Sequence, residues 1–266
     1  MNKRGQAIQF NWIFVIIAGA LILSSLIFFG AKYISLQESR NNALLGRSLD
    51  QVFYNAKSTT QFKNFSISSK FDINFECNET IINSEYRQSN DYVLFGSDSV
   101  NVNDLIIWSK AFKAPFLADN VIYVFDPNKK IYIENSEMGE KLRAIGLEIV
   151  GENEADIFVY SQNNYQEHIG KKVIGVDFTK DETWIYGEMI SDSNTYGCVE
   201  SKLESKWKNL LEIYKFKAEN MLGGCEEIKS NLINKLSFDV PLSDDLIEEI
   251  SGLNRDLANA GCMVIF

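Results

Sequence analysis

Four cysteines, at positions 77, 198, 225 and 262, carry the most specific chemistry in this sequence. The gaps between them are 121, 27 and 37 residues and no CxxC occurs, so the close spacing of a thiolate metal site is missing. An even number of widely spread cysteines reads instead as a disulfide framework. Cys225 precedes one expected helix and Cys262 follows the next, so a bond between them would staple a helical hairpin and leave Cys77 to pair with Cys198. The alternative is four buried free thiols in a reducing compartment.

The remaining reactive side chains form weaker patterns. His168, the only histidine, stands in NNYQEHIGKK. With no second histidine a two-histidine zinc site is excluded, and with no GxSxG elbow a hydrolytic triad has no serine nucleophile, so His168 reads as a surface residue. Asp98, Asn101, Asn103 and Asp104 gather oxygen atoms in GSDSVNVND, but their spacing is not that of an EF-hand loop and suits a polar turn. Asp177, Asp181, Glu182 and Glu188 fall near expected strand ends. Two carboxylates about 5–10 Å apart can hydrolyse a glycosidic bond, so this group is the one opening for an enzyme. Asp244, Asp245, Glu248 and Glu249 read as one solvated helix face. Neither GxGxxG nor GxxxxGK[ST] occurs, so phosphates have no glycine-rich cradle. The expectation is therefore no catalytic residue, no metal ligand and no cofactor. Two glycan acceptor sequons are present, Asn64-Phe65-Ser66 and Asn78-Glu79-Thr80.

Charge narrows the partners. The net charge is -10, from 26 basic and 36 acidic residues. Nucleic-acid binding draws its affinity from neutralising phosphates with Lys and Arg, so no nucleic acid is expected. The composition, 45% hydrophobic and 12% aromatic with three prolines, supports a folded core.

One segment does not belong in water. After a short N-terminal tail, 1–11, residues 12–31 read WIFVIIAGALILSSLIFFGA, with no charge. That is about the 20 residues a helix needs to cross a bilayer, and Trp12 and Tyr33 stand where interfacial aromatics belong. The run is longer than a secretory h-region and no small-x-small site follows it, which favours an anchor over a removed signal. Membrane lipid is thus the expected partner of residues 12–31. Lys3 and Arg4 precede the run, while Lys32, Arg40 and Arg47 follow it, so the basic flanks do not fix orientation. The cysteines, the sequons and the size of the acidic domain place the bulk outside the cytoplasm.

The opening Lys3-Arg4-Gly5-Gln6, a short polar gap and an apolar helix resemble the class III signal of archaeal type IV prepilins. The resemblance covers about 30 of the 266 residues. It implies processing by a dedicated peptidase between Gly5 and Gln6, leaving the apolar helix intact for packing into a filament. The sequence departs from the pattern at Phe10, where the fifth mature position of a prepilin usually holds glutamate.

The elements that would position these residues follow from periodicity. No proline interrupts 32–57, and Leu45, Leu49, Val52 and Ala56 recur at helical spacing, so 32–60 is a helical stalk or a helix packed on its own domain. Residues 61–190 read as a mixed α/β domain. Phe71, Ile73, Phe75 and Cys77 alternate with polar residues as in a half-buried strand. Residues 91–95 form a second candidate, and 121–125 and 130–134 flank Asp126-Pro127-Asn128-Lys129 as an expected hairpin. A helix at 137–144 precedes strands at 147–150, 157–160, 173–178 and 184–189, with another helix around 162–169. Residues 191–266 form a helical C-terminal part. Val199, Leu203, Trp207, Leu210, Leu211, Tyr214, Ala218 and Met221 make one stripe, helices follow at 226–236 and after Ser243, and 262–266 is an apolar terminal strand. The terminal strand belongs either in its own sheet or on a neighbour's sheet edge.

The expected fold class is α+β: a transmembrane helix, a β-rich mixed domain and a C-terminal helical hairpin packed on it. The expected function is a single-pass, membrane-anchored extracytoplasmic structural or interaction protein, assembling through its N-terminal helix in a pilin-like way or meeting other proteins. The alternative is a membrane-tethered surface hydrolase using carboxylates.

Overall fold

The computed structural model describes residues 3–60, 62–89, 91–97, 100–179, 181–220, 224–236 and 242–266. The chain forms two compact units, Met1–Ser48 and Leu49–Phe266. The first helix, α1 (Lys3–Ser58), contributes to both.

In the first unit α1 is long and apolar enough to cross a membrane, by length and composition. Its large apolar side chains from Trp12 to Leu36 are exposed in every direction. Ser24 and Ser25 return their hydroxyls to the carbonyls of Ala20 (2.7 Å) and Leu21 (2.9 Å), so neither leaves a polar group unbonded. The last turns of α1, in the second unit, are of another kind. Leu49, Val52, Phe53 and Ala56 are buried, and Phe53 meets Phe75 and Tyr92 edge-on.

The second unit is mixed α and β. A six-stranded sheet has the order β3-β2-β1-β5-β6-β4, with β1 (Phe62–Phe75), β2 (Glu79–Ile82), β3 (Tyr86–Ser89), β4 (Leu94–Gly96), β5 (Val100–Lys113) and β6 (Leu117–Phe125). All its pairings are antiparallel except β4 with β6. A four-stranded parallel sheet has the order β10-β9-β7-β8, from β7 (Lys130–Ile133), β8 (Glu148–Ile149), β9 (Ile157–Ser161) and β10 (Lys172–Val176). On its inner face Ile131, Ile133, Val159, Ile174 and Val176 join the main core. On its outer face Phe158 and Tyr160 bury themselves in a smaller cluster with Tyr132 and Val173. The period-two alternation of strands separates these two sets.

Helices α2 (Ser136–Ala144) and α3 (Glu182–Ile190) pack on the sheets. Asn135 caps α2 by accepting from the Met138 amide (3.0 Å), and Asp181 caps α3 through Thr183 (2.7 Å). The long α4 (Ser193–Asn220) lies against β4 and β6. Its buried stripe is Val199, Leu203, Trp207, Leu211 and Ala218, and Trp207 Nε1 donates to Ala114 O (2.5 Å). The hairpin of α5 (Glu226–Lys235) and α6 (Asp244–Asn259) packs behind it, with Ser243 capping α6.

Four expected elements differ. The Asp126–Lys129 turn forms, the Lys129 amide donating to Asp126 O (3.2 Å), but it closes no hairpin. β6 is already paired on both edges, so the chain leaving it has no edge to return to and β7 founds the second sheet. Residues 184–189, expected as a strand, belong to α3, because the Asp181 cap starts a helix whose Ile185, Tyr186 and Met189 are buried. An apolar run this short does not reveal its period when nearly all of it is buried. The helix expected around 162–169 is a single 3-10 turn, Gln162–Asn164. Asparagines favour such turns, and Asn164 Nδ2 donates to Glu134. Finally, 262–266 is not a strand. The amide of Asn254 satisfies that backbone instead, accepting from Ile265 N (2.7 Å) and donating to Phe266 O (2.8 Å).

Candidate functional site

Two lysine doublets, Lys129-Lys130 and Lys171-Lys172, each lead into a strand of the parallel sheet. Three of these lysines meet at a cleft of about 320 Å³ where the β6–β7 turn, the starts of β9 and β10 and the end of α3 converge. Its apolar lining comes from Phe125, Ile131, Ile157, Met189 and Ile190. Its charged lining is Lys129, Lys171 and Lys172 with Asp126 and Asp156.

Local structure fixes most of these groups. Asp126 Oδ1 accepts from the Asn128 amide (2.9 Å), which sets the turn that carries Lys129. Asp156 accepts from Lys171 Nζ (2.7 Å) and from the Lys130 amide (3.2 Å). The Lys171 hydrogen bond, then that amide, hold the Asp156 carboxyl below its ordinary range. Lys172 Nζ donates to Ser191 O (2.6 Å) at the end of α3. The result is a concave site with an apolar body and an ionic rim, the arrangement typical of small-molecule sites. Sequence reading passed over it because two lysine doublets more than 40 residues apart form no motif.

His168 is better integrated than a surface residue. Its ring stacks on Phe158 with centroids 3.8 Å apart and planes 7° apart. Its Nε2 lies 2.9 Å from the Tyr160 hydroxyl, which in turn donates to Glu152 (2.5 Å). With the Tyr160 proton directed to Glu152, the hydroxyl oxygen faces Nε2 as an acceptor. Burial, and then Glu152, push the Tyr160 phenol upward, so it stays a neutral donor. Nearby, Glu134 accepts from the Ser161 amide (2.7 Å) and from Asn164. These contacts clasp the segment after β9 onto the outer face of the parallel sheet.

The other carboxylates have structural partners. Asp177 accepts from the amide (3.0 Å) and hydroxyl (2.7 Å) of Thr179, and Asp181 is the α3 cap. Glu182 bridges Lys110 (2.8 Å) and Lys141 (2.5 Å). Burial pushes its carboxyl up, but the hydrogen bonds and charges of the two ammonium groups outweigh that and hold it low. Glu188 is exposed on α3. On α6, Asp245, Glu248 and Glu249 are exposed, and Glu249 pairs with Lys235 (2.7 Å). The side chain of Asp244 lies outside the described residues. Of the oxygen-rich group, Asp98 and the Asn101 side chain also lie outside them, while Asn103 and Asp104 are consecutive residues of β5 and so face opposite sides. Among the described residues, no three His, Cys, Asp or Glu side chains converge as a metal site requires.

Cys77 is bonded to Cys198 and Cys225 to Cys262, with Cα atoms 5.9 Å and 6.6 Å apart. The first ties the β1–β2 bend to α4, the second joins the two ends of the α5–α6 hairpin. Asn64 is exposed on β1, and Asn78 is exposed in the bend beside Cys77. Gly5 and Gln6 lie in the first turns of α1. Comparison with protein-family models, curated proteins and solved structures found no match.

Proposed function

We propose that this is a single-pass membrane protein with an extracytoplasmic structural or interaction domain, anchored in lipid through residues 12–31. The observation that carries this reading is α1: a helix unbroken from Lys3 to Ser58 whose apolar side chains from Trp12 to Leu36 are exposed on all sides. Water does not tolerate that surface, and lipid does. Two disulfides fit an oxidising compartment, and the exposure of Asn64 and Asn78 suits glycan acceptors. The domain's many structural carboxylates suit a scaffold. Prepilin-type processing between Gly5 and Gln6, followed by assembly through α1, extends this reading.

Mass analysis of the mature N-terminus, on protein taken from its native membrane, tests that extension. A start at Gln6 supports assembly through the helix, and a start at Met1 reduces α1 to a plain anchor. Four free thiols in native protein would sink the extracytoplasmic assignment.

A tethered hydrolase is the second reading, and one observation favours it. Asp50 and Asp91 line a single depression with Tyr54, Lys57 and Tyr92, and Asp50 accepts from the Tyr92 hydroxyl (2.8 Å). Screening purified protein against surface polysaccharides, with Asp50→Asn and Asp91→Asn as controls, decides it. Release of reducing ends by the parent alone establishes the hydrolase, and none from any substrate dismisses it.

A further inference from the structure

We propose that the cleft at the β6–β7 turn is a binding site for a small amphipathic anion: one acid group, carboxylate or phosphate, on a short apolar body. The proposal rests on three features of the cleft. The first is charge. In a chain of net charge -10, the lining of this cleft holds three ammonium groups, Lys129, Lys171 and Lys172, against two carboxylates, Asp126 and Asp156. An anion repelled by the protein's overall field finds a local excess of positive charge there, and a concave site focuses that field.

The second is that the three lysines are not equally engaged. Lys171 is ion-paired to Asp156 and Lys172 holds Ser191 O. The Lys129 ammonium forms no ion pair or side-chain hydrogen bond among the described residues, although Asp156 feels its charge. It stands exposed on a turn whose backbone is fixed by Asp126. A lysine of this sort is an adaptable point charge that can close over an acid group at little structural cost. Lys171 and Lys172, already positioned, supply the standing part of the field.

The third is the lining behind the charges. Ile157 and Ile190, half-buried, face a space of about 320 Å³, with Phe125, Ile131 and Met189 buried directly behind them. A bare inorganic anion would leave that surface wet, and a wholly apolar ligand would desolvate the ammonium groups for nothing. An acid with a short hydrocarbon body satisfies both.

Isothermal titration of the full chain in lipid nanodiscs, with the heat of empty nanodiscs subtracted, tests this. The probes are hexanoate, hexyl phosphate, hexanol and inorganic phosphate. Hexanoate and hexyl phosphate should each bind saturably at one site per chain, and hexanol and inorganic phosphate should bind at least tenfold more weakly. Which acid binds more tightly separates a carboxylate source from a phosphate source. Shortening hexanoate one methylene at a time should weaken binding by about fourfold per step. Lys129→Ala should weaken hexanoate about tenfold, while Lys129→Arg stays within about twofold. Lys113, outside the cleft lining, should tolerate Lys113→Ala unchanged. No saturable heat with either acid overturns the site. Equal binding of hexanol and hexanoate overturns its anionic character, and indifference to chain length its apolar part. Binding unaffected by Lys129→Ala, or lost equally in Lys129→Arg, overturns the role of the free ammonium.

Discussion

Helices α1 and α4 are the two longest in the molecule, and they handle their apolar residues in opposite ways. Between 12 and 31, α1 is apolar on every side and buries none of its large side chains against the protein. α4 concentrates Val199, Leu203, Trp207, Leu211 and Ala218 on one buried stripe and leaves Ser201, Ser205 and Asn209 outside. The lesson is that arrangement decides destination: a stripe selects a protein neighbour, a full cylinder selects a solvent. The hydroxyls follow suit. Ser24, Ser25 and Ser201 all bond back to a carbonyl four residues earlier, and on the proposed membrane reading the first two would have no alternative partner.

Four changes break or sharpen this contrast. Trp207→Ala opens a cavity in the buried stripe and orphans Ala114 O, so chemical denaturation should register a loss of about 3–5 kcal/mol. Trp12→Ala, on the apolar cylinder, should leave the same measurement within about 0.5 kcal/mol. Leu23→Arg places a charge in the middle of 12–31 and should cost about 3 kcal/mol of insertion, read as loss of the carbonate-resistant membrane fraction. That substitution should not alter the folded domain's near-ultraviolet circular dichroism. Asp192→Ala removes the acceptor for the amides of Asn194 (2.5 Å) and Thr195 (2.9 Å) at the start of α4, and a loss of about 1 kcal/mol is expected by thermal melting.

The smallest effect is in pH. Glu182 and Asp156 have carboxyls held low in the folded state, so their contribution is present above the unfolded value, about 4, and lost as pH falls through the folded values. An acid titration of the melting temperature should therefore fall below about pH 4 and be flatter in Glu182→Gln. Insertion of α1, which has no ionisable residue in 12–31, should ignore the same titration.

Much of the architecture could be read from the sequence where a single period dominates. The long helices, the Ser243 cap and the alternation at Phe71, Ile73 and Phe75 are all local signals. What escaped was non-local. Nothing near Asp126 reveals that β4 will occupy the outer edge of β6 and turn an expected hairpin into a passage between sheets. Nothing near Met189 states that both sides of α3 will be covered. The lysine cleft escaped for the same reason, since β7, β9 and β10 must pair before Lys129 and Lys171 share a space. The stacking of His168 on Phe158 likewise depends on which face of β9 the returning chain crosses.

The bond between Cys77 and Cys198 encloses the segment from β9 to β10, where Ile169 is fully exposed at the tip. An exposed tip of this kind is where a protease cuts most readily. Cleavage at Ile169 would not shed anything. The downstream piece, with α4 and its stapled hairpin, would stay covalently leashed to the piece that bears α1, and only a reductant would set it loose. A nicked molecule would run as one band on a gel without reductant and as two with it, and on a membrane it would remain in place after the peptide bond was gone.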